Sequence, residues 1–568
     1  MATTVVLIGV LQLTGWASEG LDVRLAFSGA FRTGSYAPID VRLSQDLRAR
    51  TGQLRFTHVL GDAWHGEATF ELRRSVASAG PAWLSSVLPV YDFTSPLHIA
   101  AIDVDGRVLA EETVELRAGA RTEPLTLRVG RFPYSIGDDA VAVDASSLPI
   151  SWWAYEGVGV VWIGRVADGL AIPAWEAIEH WIVAGGSAVV FTGSDLPLID
   201  CEPLQSILPW MSTQVVRLPD GVDVVEGELR PTAAILWTEE PDIQLVRHDL
   251  GLGTLYAVTV SAGRCSREIL EQIASHVDAA GVPSLVAGTA AALLRTPLQT
   301  PGHAAGAAIV IVSIALVAVA SYTVRRQRMA LLLVVVGAGC AAVCAGLAGN
   351  ATKRDIDVYT ASTVVRVIAS VGSEIHCTGM MTLTPTSVAL DGVAPPLLAS
   401  SPRHSVSTYV ASRWEVGRGG TVPVGAGEDV YATCLQAMPA RISARETGEE
   451  TLRVVNALDS ALEEAFVLRG GSVYHFPQGI GIGEWEIALD EGDPLHGAEF
   501  GGSPWRPVAD RLGASLLSRL RVSAAGTGTS GFWLVGVNTH QDVESQGSLS
   551  RKVSVTEVVL VQGTSEPW

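Results

Sequence analysis

The chain has 568 residues and a formal net charge of −20, from 39 basic and 59 acidic side chains. That length suits three or four domains, and the acidic balance excludes a nucleic-acid partner, because phosphate binding needs basic patches. The two lysines, Lys353 and Lys552, do not follow a glycine-rich loop, so P-loop nucleotide chemistry is excluded as well.

In chain order, Val5 to Leu13 is mostly apolar and Gly15-Trp16-Ala17 offers a small-x-small cleavage site. This predicts a secretory signal over 1–17, although the basic n-region is missing. A buried first strand is the alternative. Over 20–118 short apolar–polar alternating runs (VRLAF, PIDVRLS, GQLRFTHV, EATFELRR, LHIAAIDV, TVELRA) recur between Gly, Asp and Ser. That spacing predicts an antiparallel β-sandwich. Asp103-Val104-Asp105-Gly106 reads as a hairpin turn rather than a calcium loop, which needs more spaced oxygen ligands.

The pattern changes over 119–286. Gly157 to Gly164 (GVGVVWIG) is a nearly continuous apolar strand, as a parallel sheet buried on both faces requires. Pro173 suits the first turn of a helix. Trp175, Ile178 and Ile182 then share one helical face, Gly185-Gly186 ends the helix, and Ser187 to Phe191 is the next buried strand. With GTLYAVTV and SREILEQIASHV following, the segment reads as a doubly wound α/β domain.

After a linker at 287–303, two uncharged apolar runs at 304–324 and 329–349 flank Arg325, Arg326 and Arg328. Each is long enough for a bilayer core of roughly 30 Å. Arginines at the bend put it in the cytoplasm and both soluble flanks outside. From 351 to 568 the text returns to strands between Gly, Asn, Asp and Ser turns, predicting an extracytoplasmic β-rich region of one or two further sandwiches, with a lone amphipathic helix at 510–520. The expected fold class is a multidomain membrane-anchored protein: β-sandwich, α/β domain with a parallel sheet, two transmembrane helices, and C-terminal β-sandwiches.

YEGVGVVWIG followed by PAWEAIEHWIVAGGSAVVFTGSD resembles the class I glutamine amidotransferase-like fold over about 160 residues. Bacterial membrane proteins that join such a domain to β-sandwiches and membrane helices look similar. The resemblance implies a nucleophile elbow near Thr192-Gly193-Ser194, where no cysteine stands, and a His and Glu after the last strand, where the chain reads TVSAGRC. Covalent acyl transfer needs a nucleophile and base within hydrogen-bond reach. The domain therefore reads as a catalytically degenerate member, with no catalytic residue assigned.

The carboxyl ends of the sheet strands are the default ligand crevice. They nominate Gly164, Arg165, Thr192, Gly193, Ser194 and Asp195. Cys201 with Cys265, and Cys377 with Cys434, are candidate disulfides of an oxidising compartment. HExxH, GxSxG and CxxC are absent, so no metal or cofactor is expected. Trp152-Trp153 reads as a strand-edge or interdomain contact before a sugar-stacking platform. The expected function is a non-enzymatic extracytoplasmic scaffold or binding protein, partnered by the lipid bilayer and by other membrane or envelope proteins, and accessory to a transporter or envelope complex. The alternatives are a hydrolase or amidotransferase using Ser194 or Thr192, and a carbohydrate-binding surface protein.

Overall fold

The computed structural model describes residues 20–277 and 358–565 apart from internal breaks, the longer ones being 194–201, 391–398, 401–409, 495–519 and 521–530. The signal-like segment 1–17, the linker 287–303 and nearly all of the helix expected at 510–520 lie outside the described residues.

The N-terminal part is a two-sheet sandwich. Strands Leu21–Leu25, Ser35–Leu43 and Trp83–Val90 pair antiparallel in one sheet. Strands Ala68–Ser75, Gln53–Leu60, Leu97–Ile102 and Val108–Val114 form most of the other, and Val410–Glu415 from the later part of the chain adds parallel to Ala68–Ser75. Ile39, Val41, Leu54, Phe56 and Ile99 fill the space between and are fully buried. Asp103 to Gly106 does make the hairpin turn: the Asp103 carboxylate accepts the Asp105 and Arg107 amides at 2.9 and 2.8 Å.

The middle part is doubly wound. Parallel strands run in the order Val141–Val143, Leu125–Val129, Val158–Ile163, Ser187–Phe191, Gly253–Val258. Gln244–Leu250 and Ala233–Thr238 extend the sheet antiparallel. Alternation along each strand feeds two cores. Val161, Ile163, Ala188 and Val190 meet the helix Ile172–Val183, and Val160, Trp162, Val189 and Phe191 meet the helix Arg267–His276 on the other face. Pro173 lies in the first turn of its helix, and Gly185, with φ of 121°, follows its last turn. Trp175, Ile178 and Ile182 are all at 0 % exposure. Burial of that size stabilises by about 2–3 kcal/mol per side chain.

The C-terminal part folds back onto this domain. Its long strands Val358–Ile368, Phe532–Gln546 and Leu549–Ser565 lie side by side, and Glu464–Arg469 pairs with the second of them. Here too neighbouring residues divide between two cores. Val365, Phe466, Trp533, Val535, Val558 and Leu560 join the core that holds the helix Ile172–Val183. Ile368, Val467, Leu534, Val559 and Val561 pack against strands Ile442–Gly448, Thr451–Asn456 and Gly483–Ala488. One sheet is thus covered by a second sheet on one face and by the α/β domain on the other. Gln562 closes the junction. Its carboxamide oxygen accepts the Gly251 amide at 2.8 Å and the Ser370 amide at 3.3 Å, and its nitrogen donates to the Asp249 carbonyl at 2.9 Å. Ser373 donates to the Glu179 carboxylate beside it. Burial raises the Glu179 carboxyl above the ordinary range.

The expectation of a two-span membrane protein requires correction. Among the described residues the chain is mostly strand, with four α-helices, the longest of 12 residues. None is long and apolar enough to cross a membrane, where about 20 residues are needed. The runs 304–324 and 329–349, with Arg325, Arg326 and Arg328 between them, lie outside the described residues. The membrane-anchored fold class and the bacterial-membrane location are set aside on this finding.

Candidate functional site

In a doubly wound sheet the ligand crevice opens where the strand order reverses. Here that point lies between Leu125–Val129 and Val158–Ile163. The strands do not part there. Past their ends the Gly164 amide donates to the Val129 carbonyl at 3.0 Å, and the Arg131 amide to the Arg165 carbonyl at 2.8 Å. The Phe132 ring fills the mouth. It meets Phe191 edge-on at 5.6 Å, and Phe191 stacks on Trp162 at 6.1 Å. Gly164 is buried beneath this ring; a Cβ there would come within 2.8 Å of both Phe132 and the Arg131 carbonyl.

The next loop is equally closed. Thr192 is at 0 % exposure, and its hydroxyl donates to the Val258 carbonyl at 2.7 Å. A hydroxyl spent on a carbonyl has no base to take its proton. Gly193 has φ of +94°, and a Cβ on it would lie 2.7 Å from the Ser261 amide nitrogen. Only glycine fits both conditions without strain. Of the six nominated crevice residues, Gly164, Thr192 and Gly193 are therefore buried structural positions, and Arg165 is an exposed bridge residue. Ser194 and Asp195 lie outside the described residues.

The turn directly after the last parallel strand, Ala262–Arg264, carries neither a histidine nor a carboxylate. It is followed by Cys265, buried at 2 % exposure. Cys265 stands as a free thiol whose Sγ lies 3.8 Å from the Ser261 carbonyl; Cys201, the disulfide partner expected for it, lies outside the described residues. Burial pushes the Cys265 thiol up to about 12, which leaves it an inert core group. Cys377 and Cys434 stand on paired strands one position out of register, Cys377 opposite Leu435 and Thr378 opposite Cys434.

The buried His248 is also spent. His248, at 0 % exposure, contacts the Ile207 carbonyl through Nδ1 at 2.7 Å and Thr232 Oγ1 through Nε2 at 2.8 Å. A carbonyl only accepts, so Nδ1 carries the proton and Nε2 accepts from the threonine. Burial pushes its pKa down to about 4. Trp152 and Trp153 are 5 % and 9 % exposed and touch each other edge-on at 6.1 Å. They form an interior cluster with Tyr155 and Trp181 rather than a sugar platform.

One open concavity lies elsewhere. A hairpin, Trp210–Arg217 with Asp223–Leu229, stands beside the outer strands of the sheet. Between them is a groove of about 690 Å³, lined among others by Gln214, Glu226, Glu228, Ile235, Asp242 and Gln244. The sequence carries a local signal for the hairpin, alternating QVVRL and VDVVEGEL around Pro219-Asp220-Gly221. It carries none for the groove, which needs the hairpin's placement against strands later in the chain.

No protein-family model, curated protein or solved structure matches this chain.

Proposed function

We propose that this chain is a non-enzymatic scaffold or binding protein, built around a catalytically degenerate domain of the class I glutamine amidotransferase-like type. The reading is carried by the plugged switch point, where Phe132 and the Arg131–Arg165 bridge occupy the place a substrate would take. The buried, carbonyl-bound Thr192 and the inert Cys265 support it, since neither has the base that nucleophilic catalysis needs. The doubly wound strand order is in keeping with the family resemblance. In this reading the α/β domain is a hub. One helix face and the turn at Gly251 seat the C-terminal sheet, and Ser28 of the N-terminal sandwich donates to the Ala142 carbonyl at 2.7 Å on its edge strand. The partners proposed are other proteins held by the outer surfaces of this assembly.

The test uses the purified full chain. Incubation with glutamine should release no ammonia, and a fluorophosphonate probe should label no serine or threonine. Ammonia release or labelling that disappears in Ser194→Ala or Thr192→Val would establish the hydrolase alternative and overturn the scaffold reading.

A further inference from the structure

The groove beside the hairpin has three properties together. First, it touches, at Ile235, a strand whose outer edge is open. Ala233–Thr238 ends the seven-stranded sheet, and among the described residues nothing pairs with its outer side. Ile235 and Leu236 on this strand are 48 % and 37 % exposed. An apolar edge left open invites another strand. Second, its walls are acidic. Glu226, Glu228 and Asp242 line it, and among the described residues no cation pairs with their carboxylates. The neighbouring arginines are engaged elsewhere: Arg217 faces Asp223 at 3.9 Å, and the Arg230 guanidinium donates to the Leu208 and Gln205 carbonyls at 2.9 and 3.2 Å. Third, the lining mixes those carboxylates with Val224, Val225 and Leu229, so an occupant needs both apolar and cationic side chains.

We propose that this groove docks an extended, basic segment of a partner protein, which adds as a strand along Ala233–Thr238. Strand addition takes its affinity from main-chain hydrogen bonds and its selectivity from alternate side chains. Six residues of edge span about 20 Å. The bulge between Ile235 and Trp237 twists the edge, which discourages casual pairing and leaves charge to choose the partner. A second copy of this chain is disfavoured as occupant, because the chain carries −20. The groove is separate from the plugged crevice. A catalytic crevice would leave this proposal standing, and an empty groove would leave the hub reading standing.

The experiment titrates the full chain with a labelled peptide of about eight residues alternating arginine and valine, long enough to cover the edge. Saturable binding is expected, weakening as salt rises. The triple variant Glu226→Gln, Glu228→Gln, Asp242→Asn, at exposed or half-buried positions, should bind about tenfold more weakly, equivalent to about 1.4 kcal/mol. The same peptide with alternate backbone nitrogens methylated keeps its charge and loses its donors; it should lose binding by a comparable factor. The proposal is overturned if the arginine peptide does not bind, if a glutamate–valine peptide binds as well, or if the triple variant is indistinguishable from the parent. Equal binding of the methylated peptide would also overturn it, showing a site for free cations instead of a strand.

Discussion

Replacing Gln562 by leucine tests whether the C-terminal sheet and the α/β domain form one cooperative unit. The carboxamide makes three hydrogen bonds to main-chain groups, at 2.8, 2.9 and 3.3 Å, more than 190 positions away in sequence. Gln562 is 5 % exposed and Gly251 is buried, so water does not replace those bonds while the parts stay docked. Each bond contributes about 1 kcal/mol net, and an orphaned buried amide costs somewhat more. The Q562L chain should therefore lose about 3 kcal/mol at the junction, or about a hundredfold in the docking equilibrium. Hydrogen exchange read by mass spectrometry reports this directly. Peptides containing Gly251 and Ser370 should exchange about a hundredfold faster, while the N-terminal sandwich around Phe56 is unchanged. Thermal unfolding should broaden or split as the two cores uncouple. Exchange at both peptides within about threefold of the parent would refute the reasoning, because the junction would then not depend on these bonds.

Three further outcomes follow from the same geometry. His248 is held down to about 4 against 6.5 for the unfolded chain, so the unfolded state takes up a proton first as pH falls. Its contribution is complete above about pH 6.5 and is lost toward pH 4; denaturant titrations should show the parent losing about 3 kcal/mol more than H248Q over that range. Parallel pH profiles for the two proteins would contradict the burial argument. Cys265, with its thiol near 12, should resist iodoacetamide in the folded chain and react after denaturation without reductant; recovery of a Cys201–Cys265 cross-linked peptide would show the free-thiol assignment to be wrong. Gly193→Ala combines a φ of +94° with a 2.7 Å approach to the Ser261 backbone nitrogen, neither of which a side-chain rotation relieves. A loss of about 3 kcal/mol is expected in unfolding measurements, and a loss below about 0.5 kcal/mol would mean that the loop shifts freely.

Much of the middle domain was legible locally. Periodicity placed Trp175, Ile178 and Ile182 on one buried face, Pro173 and Gly185 bracketed their helix, and continuous apolar runs marked the parallel strands, because these signals arise from neighbours within one or two turns. The hairpin turn at Asp103 was readable for the same reason. The crevice was not. The strand-end rule chose Gly164, Arg165, Thr192 and Gly193, and nothing local announces that Phe132 folds back over Gly164 or that the Ser261 backbone closes on Gly193. Glu179 looks like a solvent-facing residue on a helix, yet Ser373 from beyond the undescribed stretch covers it. The two uncharged apolar runs and the arginines between them spoke for a membrane hairpin; they lie outside the described residues, and among those residues no helix is long and apolar enough to cross a membrane.

By itself the sequence determined where strands and helices form, since alternation, helical spacing and turn residues act over a few positions. The register of pairing, the choice of which strand face meets which core, and the filling of the crevice were decided only by tertiary structure. Those features depend on contacts between residues hundreds of positions apart, such as Gln562 with Gly251. No local pattern encodes such a pair, because either residue alone is an ordinary polar side chain or a turn glycine until packing brings them together.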